Sequence, residues 1–152
     1  METCENKRTN RKRAILRPLM SFIEIEIMNI RELIRIIDGT LITPPANLNR
    51  EIKGGFGADL MSDVLASIQP EAVLVTGLCN PQVVRTAQMS DVAAIVLVRG
   101  KQPPAETIHL ANEECVPLIS TPYGMFEVCG RLHKAGLASL EQPITDGPCD
   151  CG

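Results

Sequence analysis

The chain has 152 residues, of which 45% are hydrophobic and 22% charged, with a formal net charge of −3; this is the make-up of a single globular domain that buries about two-thirds of the surface its unfolded chain exposes. Aromatic residues are scarce, with no Trp, one Tyr and three Phe, so the core has to come from aliphatic side chains, and the series of rings that stacks single-stranded nucleic acid is lacking. Residues 1–28 carry six Lys/Arg against four Glu, and the remainder nine basic against fourteen acidic residues; an acidic body argues against DNA or RNA, whose binding rests on neutralised phosphates.

Residues 1–27 form a basic arm around Lys7-Arg8 and Arg11-Lys12-Arg13, read as a disordered terminus. Its apolar run at Leu19–Ile23 is broken by Glu24 and Glu26 and no small-residue cleavage site follows, so it does not read as a secretory signal. Nothing approaches the roughly 18 apolar residues of a membrane helix. No membrane partner is expected, and the six cysteines (Cys4, Cys79, Cys115, Cys129, Cys149 and Cys151) are expected to be reduced thiols of a cytoplasmic protein.

Asn29 can cap a helix whose apolar positions Ile30, Leu33, Ile34 and Ile37 follow helical spacing. Asp38-Gly39 stops it, and Leu41-Ile42-Thr43 is a short strand ended by Pro44-Pro45. Gly54-Gly55-Phe56-Gly57-Ala58-Asp59 is the only Gly-rich stretch. It reads as a loop before an amphipathic helix with Leu60, Met61, Val64, Leu65 and Ile68 on one face. Such a loop can cradle an anion with its amides, or it can be a tight turn that needs glycine. It has neither the Gly-Lys-Ser/Thr of a phosphate loop nor the spacing of a dinucleotide fingerprint.

Three strand–turn–helix units follow. Ala72-Val-Leu-Val-Thr-Gly77 is a continuous apolar run, the pattern of a strand buried on both faces. Asn80-Pro81 then reads as N-cap and first helical residue, with Val83, Val84 and Ala87 inward. Ala94–Val98 is the second strand, ending at Arg99-Gly100, and Pro103-Pro104 starts a helix carrying Ile108 and Ala111. Val116–Ser120 is the third, and Thr121-Pro122 again reads as cap and first residue, before a helix with Met125, Cys129 and Leu132 inward and Gly136 as its left-handed stop. Connections this short predict an α/β fold: a small parallel β-sheet flanked by helices, built from successive βα units.

In such a sheet, ligands bind beyond the carboxyl ends of the strands. Those ends, Thr76-Gly77, Arg99-Gly100 and Ser120-Thr121, collect glycines, hydroxyls and a guanidinium beside helix starts, a set suited to a phosphate or nucleotide. The candidate ligand-binding residues are therefore Gly54, Gly55, Gly57, Asp59, Thr76, Gly77, Asn80, Arg99, Gly100 and Thr121. The competing reading makes Asn80 and Thr121 helix caps and the glycines turns. No catalytic or metal-binding set is discernible. His109 reads as solvated and His133 as a cation near a helix end. Cys79 reads as a reactive thiol at a helix start or as a small buried one, and Cys115 and Cys129 read as core. Cys149-Asp-Cys151 supplies two ligands where structural zinc wants four.

The segments Ile52–Leu65, Val73–Gly77, Asn80–Ala87, Ile95–Gly100 and Pro117–Tyr123 together resemble the DRTGG domain family. That family is named for Asp-Arg and Thr-Gly-Gly signatures at the ends of two successive strands. Here Gly77 matches the glycine ahead of the Asp-Arg pair, Leu78-Cys79 stands where the pair would be, and Arg99-Gly100 stands where Thr-Gly-Gly would end. The resemblance implies an α/β domain over residues 28–138, with a fold similar to the N-terminal domain of HPr kinase/phosphorylase; residues 139–152, which show no periodicity, read as a flexible, Cys-containing tail. It also implies a regulatory or scaffolding module, commonly a homodimer, without catalytic activity or cofactor. Relatives occur beside nucleotide-binding CBS modules in pyrophosphatases, and stand-alone members are encoded near iron-only hydrogenase components. The expectation is a non-enzymatic domain sensing a phosphorylated small molecule or nucleotide. The alternative is an interaction module for a hydrogenase or redox complex, with an iron–sulfur role ranked below both.

Overall fold

A computed structural model describes residues 27–44 and 47–141; the basic arm, Cys149 and Cys151 lie outside the described residues. The elements in chain order are α1 (Ile30–Ile36), β1 (Thr40–Leu41), β2 (Gly54–Gly57), α2 (Met61–Ser67), β3 (Ala72–Thr76), α3 (Pro81–Met89), β4 (Ala94–Leu97), α4 (Ala105–Glu113), β5 (Leu118–Ser120) and α5 (Met125–Lys134). The five strands form one sheet in the order β1-β5-β4-β3-β2. Strands β3 to β5 are parallel, as expected, and β2 joins them in the same direction, whereas β1 pairs antiparallel with β5, Thr40 opposite Ser120. None of the described helices is long and apolar enough to cross a membrane.

Alternate side chains of the sheet enter two separate cores. Val73, Val75, Val96 and Ile119 pack with Ile30, Leu33 and Ile37 of the α1 region and with Val128 and Leu132 of α5. Leu74, Ile95, Leu97 and Leu118 pack with Val64 of α2, Val83, Val84 and Ala87 of α3, and Ala111 of α4. Helices on both faces are the reason β3 and β4 read as unbroken apolar runs.

Helix ends follow local chemistry. Asn29 and Glu32 form a reciprocal capping box at α1: the Asn29 side chain accepts from Glu32 N, and Glu32 accepts from Asn29 N. Helices α3, α4 and α5 each close with paired backbone bonds to a left-handed residue, Asp91, Cys115 or Gly136. The next residue (Val92, Val116 or Leu137) donates back to Ala87, Ala111 or Leu132 and packs into the core, as this motif favours.

Five expectations are corrected. The Gly-rich stretch is not a loop: Gly54–Gly57 is strand β2, in register with Ala72–Val75. Its outer edge is covered by the chain after α5, where Gly55 N donates to Ala138 O at 2.9 Å. Helix α2 buries Val64 and Ile68 but leaves Leu60 and Leu65 exposed: Leu60 stands ahead of the helix as its N-cap, and Leu65, one residue past Val64, is turned about 100° away from it. Helix α5 starts at Met125 behind Gly124, so Thr121 is not its cap. Cys129, expected in the core, is exposed, and Cys115 is half-buried and disulfide-bonded rather than a reduced core thiol.

The glycines of β2 differ in what a side chain would meet. A Cβ at Gly54 would lie 2.7 Å from Ala138 O and 2.4 Å from Leu140 Cγ, whereas one at Gly55 would meet nothing closer than 3.5 Å. Gly54→Ala is expected to destabilise by about 1–3 kcal/mol through overpacking and Gly55→Ala to be close to neutral, as measured by urea unfolding. Asn29→Ala is expected to cost about 1 kcal/mol by the same measurement.

Candidate functional site

Parallel pairing brings the carboxyl ends of β2, β3, β4 and β5 to one edge of the sheet. At the end of β2, Ala58 N donates to Val75 O at 3.1 Å, which carries Asp59 across the tip of β3. There Asp59 Oδ1 accepts from Thr76 Oγ1 at 3.0 Å and from Gly77 N at 2.6 Å. Thr76 Oγ1 in turn accepts from Leu78 N at 3.2 Å. One carboxylate thus fixes the turn that leaves β3, through bonds strengthened by its charge.

The turn that leaves β4 supplies the cations. Arg99 and Gly100 have φ of +62° and +63°, and Lys101 N closes the turn on Val98 O at 3.4 Å. Two successive left-handed residues make a type I′ turn, which favours Asn-Gly. An Arg at the first position costs about 1–2 kcal/mol. Two bonds hold the conformation: Arg99 N to Tyr123 O and Gly100 N to Thr121 O, both 2.7 Å. The Lys101 ammonium donates to Gly77 O, and Lys101 O accepts from Ser120 Oγ at 3.1 Å. The Arg99 Nε comes within 4.0 Å of the Cβ position at Gly124, the start of α5.

These contacts converge. Asp59 Oδ1 and Oδ2 and Lys101 Nζ all lie 3.4 Å from the Cβ position at Gly77. Both Arg99 and Lys101 are exposed, and among the described residues Arg99 takes part in no ion pair. Asp59, Thr76, Gly77, Arg99 and Gly100 are therefore brought together, with Lys101 added. Lys101 is not among the residues expected from sequence; its signal there is a Lys two residues beyond Arg99, in the same strand-end turn.

The other candidates are placed differently. Gly54 opens β2 at the opposite end of the strand, and Gly55 lies along its outer edge. Gly57 is at the carboxyl end but faces α5, its Cβ position 3.3 Å from Cys129 Sγ and 3.8 Å from Met125 Sδ. The amides of Gly55 and Ala58 are bonded within the fold, so this stretch does not form an anion-cradling loop. Asn80 caps α3, its side chain accepting from Val83 N at 3.3 Å. Thr121 is buried, donating to Ile37 O at 2.6 Å and accepting from Tyr123 N at 3.3 Å.

A second network braces the rim from behind. The Tyr123 hydroxyl donates to Asp38 Oδ2 at 2.5 Å, and that bond to a carboxylate raises the pKa of the phenol. The Arg131 guanidinium stacks 3.9 Å from the Tyr123 ring centroid and bonds Glu127 at 2.7 Å. Arg131 also reaches Ile36 O at 3.4 Å.

Among the described residues, the remaining ionisable groups are scattered over the fold. His109 is exposed beside Glu113, 3.2 Å away. Cys79 is a half-buried free thiol whose carbonyl accepts from Thr107 Oγ1 at 2.9 Å. Between β2 and α5 an apolar cleft of about 280 Å³ is lined by Gly55, Val75, Cys129, Leu132, His133 and Leu137. The walls of the cleft partly desolvate the sulfur of Cys129, a residue exposed overall, and push its thiol above its ordinary pKa. Among the described residues, no group of three or more His, Cys, Asp and Glu could hold a metal ion.

The family model for the DRTGG domain matches residues 32–135, a span that runs from α1 through α5 and includes the whole cluster. No curated protein matches the chain. Among solved structures, the chain is similar to the CBS and DRTGG domains of the regulatory region of Clostridium perfringens pyrophosphatase, a structure complexed with the activator diadenosine tetraphosphate. The two share 13% identity with a TM-score of 0.56, over 66% of this chain and 44% of that one, so the likeness is one of fold and this chain spans less than half of its neighbour. Family model, strand order and successive βα units agree: the chain belongs to the DRTGG domain family.

Proposed function

We propose that the chain is a non-catalytic regulatory domain that binds a phosphorylated small molecule, a nucleotide in particular, at the carboxyl rim of its sheet. The observation that carries this reading is the pair of exposed cations on the one left-handed turn after β4, Lys101 reaching Gly77 and Arg99 reaching Gly124 at the start of α5. Of the non-glycine residues with positive φ, Asp38, Asp91 and Cys115 follow helix ends, whereas Arg99 lies at the end of a strand and closes no helix; backbone strain in that place motivates a functional reading. A guanidinium with no ion pair offers a planar fork to phosphate oxygens, and an ammonium with donors to spare adds a point charge. In this division of labour Asp59 organises the site: it holds Thr76 and Gly77, whose carbonyl anchors Lys101. The neighbouring pyrophosphatase region, a regulatory one crystallised with a dinucleotide activator, supports the same ligand class here. A homodimer fits the family resemblance.

A second reading, a protein–protein module serving an iron-only hydrogenase or redox complex, draws on that resemblance and on the exposed apolar side chains Leu65 and Met89. Co-purification with such a partner, unaffected by Arg99→Ala, would favour it.

Thermal unfolding with and without ATP, ADP, diadenosine tetraphosphate and sugar phosphates tests the first reading. At least one is expected to raise Tm saturably; about 2.7 kcal/mol of stabilisation corresponds to a hundredfold excess over Kd. Absence of any shift in a folded sample contradicts it. Lys101→Ala is expected to weaken binding about tenfold or more, the worth of a charge-assisted bond. Arg99→Gly should weaken binding while raising the stability of the ligand-free protein by about 0.5–1 kcal/mol, since it relieves the left-handed Arg. Thr121→Val should do the reverse: lower stability by about 1–3 kcal/mol by orphaning Ile37 O and leave affinity unchanged.

A further inference from the structure

Helix α5, whose start Arg99 approaches, carries an exposed ring on its first turn. Phe126 is 94% exposed, the most exposed large apolar side chain among the described residues. It is the second residue of α5, two after Gly124, where the Arg99 side chain comes to rest, and one after Met125, whose sulfur reaches the end of β2 at Gly57. Directly after Asp59, at the same edge of the sheet, Leu60 is 60% exposed. A single exposed apolar residue is ordinary. An aromatic one on the first turn of the helix that Arg99 touches, in a chain with so few rings, is a choice the core does not explain: Val128 and Leu132 supply the buried face of α5.

Resting on the phosphate-binding reading of the same rim, we propose that Phe126 is a stacking platform for the base of a nucleotide whose phosphates engage Arg99 and Lys101. The charge complementarity is local. Cations at the strand tips meet the anionic end of the ligand, and the ring on α5 meets its flat, apolar end. A sugar phosphate or inorganic polyphosphate uses only the first of these. Stacking of a base on an aromatic side chain supplies about 1–3 kcal/mol, which corresponds to a preference for nucleotide over the matching polyphosphate of about ten- to hundredfold.

The test compares ATP with inorganic tripolyphosphate by calorimetry on the full chain and on two variants. The expected result is tighter binding of ATP by about tenfold or more, loss of that preference in Phe126→Ala with tripolyphosphate affinity unchanged, and its retention in Phe126→Trp. Because the chain contains no other Trp, Trp fluorescence of the last variant should be quenched by ATP and not by tripolyphosphate. Equal affinity for the two ligands in the unsubstituted chain overturns the platform and leaves phosphate binding standing. Binding of neither overturns both. Sedimentation of the Phe126→Ala variant supplies the remaining arm: if it breaks a dimer while the preference for ATP persists, the ring is a contact between copies and the platform is wrong.

Discussion

A parallel sheet covered by helices on both faces has only its ends for polar groups. Here Val73, Val75 and Val96 face one core and Leu74, Ile95 and Leu97 the other, so the middle of β3 and β4 can carry nothing but aliphatic side chains. The first residues free to differ are those where the strands stop. Because β2 to β5 run the same way, they stop along one edge, and Asp59, Gly77, Arg99 and Thr121 arrive there together. The fold concentrates chemistry at that rim before any ligand is considered.

Within the rim, the groups are divided between holding and presenting. Asp59 and Thr121 hold. One carboxylate closes the end of β3, and one buried hydroxyl ties the chain after β5 to the end of α1. Tyr123 continues this brace, with its carbonyl on Arg99 N and its hydroxyl on Asp38. The result is a left-handed Arg99–Gly100 turn anchored through two backbone bonds to a segment that is itself anchored to α1. Arg99 and Lys101 present: both residues are exposed, Lys101 with its ammonium on Gly77 O and Arg99 with its Nε near the start of α5. Such division is how a site keeps a costly local conformation without destabilising the whole.

Much of this architecture was legible in the residues, for reasons that differ by element. The runs Ala72–Thr76 and Ala94–Leu97 are apolar without alternation, which only a doubly covered strand requires, and Asn29 and Asn80 announced their helices through capping chemistry. Strand β2 was hidden because glycine is a poor strand former; its conformation is imposed by pairing with β3 and by Ala138 and Leu140 closing over Gly54. Thr121 was misread as a cap because Thr-Pro satisfies that pattern locally, whereas its real partner, Ile37 O, is 84 residues away in sequence. Lys101 was overlooked for a similar reason: its place beside Gly77 depends on β3 and β4 being neighbours. The antiparallel β1 is likewise a matter of tertiary pairing, which two residues cannot signal.

The most direct test of phosphate sensing at the rim is a backbone amide NMR titration with ATP on the isotope-labelled chain. Saturable shifts centred on residues 76–80, 99–101 and 123–127 are the predicted result. Shifts confined to the cleft between β2 and α5, around residues 129–139, or no shifts at all from a folded sample, would contradict it.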